Sequence, residues 1–90
     1  MKNKTVLITG AAKNIGKAIA KELHNKGMDI IIHYNKSERE ALNLAKTLNN
    51  IRCDSATIIQ ADLKKQECYS TLVKEALSFK GEIDVLVNNA

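Results

Sequence analysis

The sequence predicts an α/β fold, a doubly wound parallel sheet of strand order 3-2-1-4 with helices on both faces. Two observations carry that expectation. Short apolar runs alternate with amphipathic helical patterns along the whole chain, as parallel strands joined by helical crossovers require. The first run ends in a turn with a glycine at each end, Gly10 and Gly16, which opens directly into a helical pattern. Right-handed crossovers with a reversal after the third strand then give the order 3-2-1-4.

Each element has its own signal. Val6-Leu7-Ile8 is continuously apolar, as expected of a parallel strand buried on both faces. A helix over 15–26 places Ile15, Ala18, Ile19 and Leu23 on one stripe and Lys17, Lys21 and Asn25 on the opposite one. Gly27 ends it as a C-terminal cap, with Lys26 in the last turn. Asp29-Ile30-Ile31-Ile32-His33-Tyr34 reads as the second strand. Ser37 and Glu40 have the spacing of a capping box, so a helix is expected over 38–49 with Ala41, Leu42, Ala45 and Leu48 inward. A loop over 50–54 leads to the third strand, Ala56-Thr57-Ile58-Ile59-Gln60, which ends at Asp62-Leu63. A third helix over 65–79 has Leu72, Val73, Ala76 and Leu77 as its stripe and stops at Gly81. The fourth strand, 83–87, runs into Asn88-Asn89-Ala90. There is no internal repeat, no proline and no low-complexity linker.

Composition narrows the function classes. Ninety residues at 44% hydrophobic content allow one domain, and 3% aromatic content leaves its packing to Ile, Leu, Val and Ala. The net charge of +4 is scattered over predicted helices without an arginine-rich or aromatic-basic cluster. A solvated surface with one local anion site accounts for it, and neither nucleic acid nor membrane is expected as a partner. Cys53 and Cys68 lack C-x-x-C or metal-ligand spacing, so reduced thiols and a cytoplasmic location are expected, with no metal. Met1-Lys2-Asn3-Lys4 leads into too short an apolar run for a signal peptide, and nothing approaches transmembrane length.

In this strand order four clusters converge at the carboxyl ends of the strands: 10–16, 33–37, 62–63 and 88–90. A strand, a tight glycine turn and a helix commonly hold a dinucleotide pyrophosphate, because glycine lets the backbone approach and the first helical turn offers free N–H groups. The G-x-G-x-x-G fingerprint is absent, since Ala12 and Lys13 stand where further glycines would fall. A phosphate-binding NTPase loop is rejected too, because Ala18 follows Gly16-Lys17 where Ser or Thr is needed. NAD binders carry an acid roughly 20 residues past the glycines to hold the ribose 2′-hydroxyl. Here Tyr34 is near that point, followed by Asn35, Lys36 and Ser37. With no acid to repel a 2′-phosphate, and with Lys36, Ser37 and Lys13 able to bind one, NADP(H) is the expected cofactor.

The pattern T-G-x-x-x-x-I-G, over 9–16, resembles the nucleotide loop of short-chain dehydrogenases/reductases, with Asn14 where most members carry a middle glycine. Thr9 to Lys13, Ile32 to Ser37 and Gln60 to Leu63 are similar to the pteridine reductase branch of that family. Asn14 departs from the branch as well, being neutral where a basic residue is usual. The resemblance covers nearly all 90 residues and implies a Rossmann-type, NADPH-dependent oxidoreductase. It assigns cofactor contacts to Gly10, Lys13, Asn14, Ile15, Gly16, His33, Tyr34, Asn35, Lys36, Ser37, Asp62, Leu63, Asn88, Asn89 and Ala90. Asp62-Leu63 would take the adenine edge, and the asparagines would tie strands together beneath the cofactor ribose. It further implies a pterin or carbonyl substrate and a homo-oligomer.

The family works through a Tyr-x-x-x-Lys pair, and no tyrosine here has it: Glu38 stands four places after Tyr34, and Val73 four after Tyr69. The expected catalytic set is therefore none, and residues 1–90 are read as the partial NADP-binding domain of a longer reductase. A 3-ketoacyl-carrier-protein reductase and a non-catalytic NADP-binding module are the alternatives.

Overall fold

The computed structural model describes residues 4–89. Four parallel strands, β1 (Thr5–Ile8), β2 (Asp29–Tyr34), β3 (Ala56–Gln60) and β4 (Val85–Val87), lie in the order β3-β2-β1-β4. They alternate with α1 (Asn14–Asn25), α2 (Glu38–Ile51) and α3 (Gln66–Lys80). The expected order and element sequence are both observed.

The period-two alternation of strand side chains divides the core between the faces. Val6, Ile8, Ile30 and Ile32 point to the α1/α2 face with Ala20, Met28, Ala41, Leu44 and Leu48. Leu7, Ile31 and Ile59 point to the α3 face with Leu72 and Ala76. Helices cover both faces, so the β1 and β2 runs are apolar at successive positions. β4 is different. Among the described residues it pairs only with β1, and Leu86 is 61% exposed although its sequence matches an interior strand.

The helices turn differently from the expected stripes. On α1 the buried residues are Gly16, Ala20 and His24, flanked by Ile19 and Leu23, while Ile15 is 69% exposed and Ala18 faces outward with it. The reason is Gly16. A Cβ there would run into the Gly10 carbonyl oxygen and come within 2.6 Å of the Asn89 amide, so this residue must face the turn and fixes the helix register. On α2, Leu44 is buried and Leu42 faces solvent, because Ala41, Leu44 and Leu48 form the inward i, i+3, i+7 row. On α3, Val73 and Leu77 are half exposed beside the buried Leu72 and Ala76. The helices also start or end a residue or two from the expected limits, and β4 is shorter, beginning at Val85. Ser37 does occupy the N-cap of α2, but it makes no capping hydrogen bond, so the capping box is not formed.

The amino ends of the strands are closed by charged ties. Arg52 donates from its guanidinium to the carbonyls of His24 (3.2 Å) and Met28 (2.5 Å), and pairs with Asp29 at 3.3 Å. Lys80 reaches the same Asp29 at 3.8 Å. His24, 2% exposed, lies 2.6 Å from Ser55 Oγ. The Ser55 hydroxyl donates to the Arg52 carbonyl at 2.5 Å, so His24 is the donor to Ser55 Oγ.

Candidate nucleotide-binding site

The carboxyl end begins with the turn after β1. Gly10 sits at φ 63 and Asn14 at φ 54, both in the left-handed region. Asparagine is among the few side chains that tolerate this conformation, because its short amide bonds locally. That is the physical answer to the departure at Asn14: the backbone shape a middle glycine would supply is reached without one.

The turn is tied on both sides. Toward β4, Asn89 donates its backbone N–H to Thr9 Oγ1 at 2.9 Å and its side-chain amide to the Gly10 carbonyl at 3.1 Å. Thr9 also donates its backbone N–H to the Val87 carbonyl at 3.0 Å. The expected role of the asparagines as ties between strands is thus seen for both: the Thr9 hydroxyl also faces Asn88 Oδ1 as donor at 3.2 Å, and Asn88 lines a pocket wall besides. Toward β2, the Gly10 N–H donates to His33 Nδ1 at 2.9 Å, and the Ala11 N–H to the His33 carbonyl at 3.1 Å. The other ring nitrogen of His33 donates to the Ala61 carbonyl at 2.8 Å. His33 is 2% exposed, so it lies beneath the turn rather than in a pocket.

Two open pockets lie above these ties. One, of about 410 Å³, is lined by Gly10, Ala12, Lys13, Tyr34, Asn35, Lys36 and Ser37. The second, of about 400 Å³, is lined by Asn35, Asp62, Leu63, Lys64, Tyr69 and Asn88. Asn35 borders both, and Gln60 fixes it by donating to its carbonyl (3.1 Å) and its Oδ1 (3.2 Å). Among the described residues neither Lys13 nor Lys36 has an ion-pair partner, and no carboxylate lines the first pocket. Burial pushes the Tyr34 phenol above its usual range, reinforced by Glu38, whose carboxylate accepts from the phenol at 3.4 Å. The Asp62 carboxylate accepts from the Lys64 N–H at 3.0 Å and so shapes the loop after β3.

The expected residues therefore separate. Gly10, Lys13, Tyr34, Asn35, Lys36, Ser37, Asp62, Leu63 and Asn88 line the two pockets, whereas Gly16, His33 and Asn89 brace the turn from below. Asn14 and Ile15 open α1 outside both pockets, and Ile15 borders an apolar groove with Ala18, Ile19, Glu22 and Leu23. Ala90 lies outside the described residues. Ala12, Lys64 and Tyr69 line pockets without having been expected there. For Tyr69 the signal was its place in the first turn of α3, directly after the β3 loop. Among the described residues no group of His, Cys, Asp and Glu could hold a metal ion, and no helix is long and apolar enough to cross a membrane.

The family model for short chain dehydrogenases matches residues 4–90. The chain belongs to the short-chain dehydrogenase/reductase family. It is 39% identical to pteridine reductase 1 of Leishmania tarentolae, over 93% of this chain and 35% of that protein. It is 33% identical to 3beta-hydroxysteroid dehydrogenase 1 of Eggerthella lenta, over 100% of this chain and 34% of the relative. Among solved structures, the FolM alternative dihydrofolate reductase 1 of Brucella suis, in complex with NADP, superposes with a TM-score of 0.90 at 41% identity. That superposition covers 98% of this chain and 36% of the FolM chain. The chain thus spans about a third of the length of the short-chain dehydrogenase/reductase relatives it matches.

Proposed function

We propose that this chain is the NADP(H)-binding part of a short-chain reductase acting on pterins. The observation that carries the cofactor choice is the first pocket. Among the described residues, two ammonium groups without an ion pair, Lys13 and Lys36, and the uncapped hydroxyl of Ser37 border it without a carboxylate, which suits a 2′-phosphate. The first-turn N–H groups of α1, from Asn14 on, would take the pyrophosphate, those of Gly10 and Ala11 being bonded to His33. Asp62 and Leu63, in the second pocket, would take the adenine, with Asn35 between base and phosphate. Ala90 completes this reading from outside the described residues. The pterin assignment is supported by the likeness to pteridine reductase 1 and FolM.

The cofactor, when bound, supplies a hydride to the substrate carbonyl or imine. This chain's residues hold and orient it, and the proton donor must come from elsewhere, since no Tyr-x-x-x-Lys is present. Residues 1–90 alone are therefore inactive in this reading, and the protein is cytoplasmic and a homo-oligomer. Val73, Leu77 and Leu86, each more than 40% exposed, leave apolar surface on residues 1–90, so this piece alone should self-associate unless the rest of a longer chain covers it. Light scattering over a concentration series should show a rising mass for 1–90; a concentration-independent monomer would count against this.

Titration of NADPH and NADH into the protein and its Lys36→Ala variant tests the cofactor choice. A charge-assisted hydrogen bond is worth about 1.5–3 kcal/mol, so the variant should bind NADPH roughly ten- to a hundredfold more weakly and NADH almost unchanged. Equal losses for both nucleotides would refute the reading.

A further inference from the structure

We infer that His33 is the positioning residue of the nucleotide turn, a neutral imidazole that holds Gly10 to Gly16 in register with the adenine end of the site. This rests on the nucleotide-binding reading above. Both ring nitrogens have partners whose chemistry is fixed. The Gly10 N–H can only donate, so the Nδ1 it meets at 2.9 Å carries no proton. The Ala61 carbonyl can only accept, so the Nε2 at 2.8 Å carries one. The two bonds therefore select one tautomer of the uncharged ring.

The connection is structural as well as local. Ala61 precedes Asp62 in the second pocket, and Gly10 lines the first. One buried side chain thus spans β1, β2 and the end of β3, at the level where all three strands stop. The backbone repeats the link, through the Ala11 N–H to the His33 carbonyl (3.1 Å) and the Ala61 N–H to the Tyr34 carbonyl (3.0 Å). Without an acceptor at Nδ1, the part-buried Gly10 N–H would lose its partner, and the tie from the turn to β2 would rest on the Ala11 N–H alone.

Binding of NADPH to the wild-type protein, His33→Asn and His33→Leu, measured by fluorescence at pH 8, tests this beside amide exchange at Gly10. Asparagine places Oδ1 where histidine has Nδ1 and can accept from Gly10, whereas leucine offers no acceptor. The leucine variant should bind about tenfold more weakly, as loss of a hydrogen-bond acceptor implies, and the asparagine variant within about threefold of wild type. Amide exchange at Gly10 without nucleotide should be faster in His33→Leu than in His33→Asn. Equal Gly10 exchange and affinity in the two variants would overturn the inference. Should His33→Leu not fold, His33→Asn decides alone: an affinity more than about tenfold below wild type, or Gly10 exchange much faster than in wild type, would overturn it. A wild type that fails to bind NADPH while Gly10 exchange follows the expected order would instead overturn the nucleotide reading.

Discussion

The two ends of the sheet use their charges in opposite ways. At the amino end Arg52, Asp29 and Lys80 satisfy one another, and Lys4 lies 4.0 Å from Asp84. At the carboxyl end Lys13 and Lys36 border an open pocket and, among the described residues, have no carboxylate partner, and the loops there are braced by neutral groups, His33, Thr9 and Asn89. In a parallel sheet every strand stops and every following helix starts at the same end, so free N–H groups accumulate there. One end is closed by internal ion pairs; at the other, among the described residues, Lys13 and Lys36 make none.

Changes at the two ends should therefore read out differently. The largest effect is expected from Gly16→Ala, at the base of the nucleotide turn. Its new Cβ would be driven into the Gly10 carbonyl and within 2.9 Å of Ala11 Cα, so helix and turn must separate. Overpacking of this kind costs about 1–3 kcal/mol, and nucleotide affinity should fall at least tenfold with it. Calorimetric titration beside a melting curve checks both; a variant with wild-type affinity would mean the turn is not a rigid cradle.

Arg52→Ala should do the reverse. It removes three hydrogen bonds at the far end, and allowing for its partial exposure the loss should be about 1–3 kcal/mol of stability. Nucleotide affinity should stay within about twofold once the protein is folded, since distant sites act additively. A large change in affinity with little loss of stability would remove the contrast between the ends.

How much of this was visible beforehand follows the same division. The strand order and the convergence of the four clusters were legible, because strand and helix patterns are local and the rules of connection are few. Pocket positions for Lys13, Lys36, Ser37 and Asp62 followed from that convergence. The register of α1 was not legible, since hydrophobicity alone put Ile15 inward, whereas close approach at Gly16 turned it out. Ser37 illustrates a similar limit: its spacing to Glu40 is right for a capping box, yet its hydroxyl makes no such bond. His33 was placed in the right cluster but not at its depth, because only the fold shows that both ring nitrogens meet backbone groups. Tyr69 entered the sequence reading only as a tyrosine without a lysine four places on, although the first turn of α3 borders the second pocket.

The smallest effect concerns acid. Burial, and after it the charge of Arg52, lowers the His24 pKa below its usual 6.5, with Asp29 opposing. A depressed folded value means the unfolded chain binds the proton more readily, so this contribution is complete above pH 6.5 and declines as pH falls below it. Urea melts at pH 7.5 and pH 5.5 should show a modest loss at the lower pH, reduced in His24→Gln. A stability that rises on acidification in the wild type alone would reverse the assignment.

The central claim, that the unpaired cations at the carboxyl end serve a 2′-phosphorylated dinucleotide, is tested most directly by mapping amide chemical shifts during titration with NADP and with NAD. NADP should shift Gly10, Lys13, Lys36, Ser37, Asp62, Leu63 and Asn88 and leave Asp29, Arg52 and Lys80 in place, and NAD should spare Lys36 and Ser37. Shifts at the amino end, or identical maps for the two nucleotides, would contradict it.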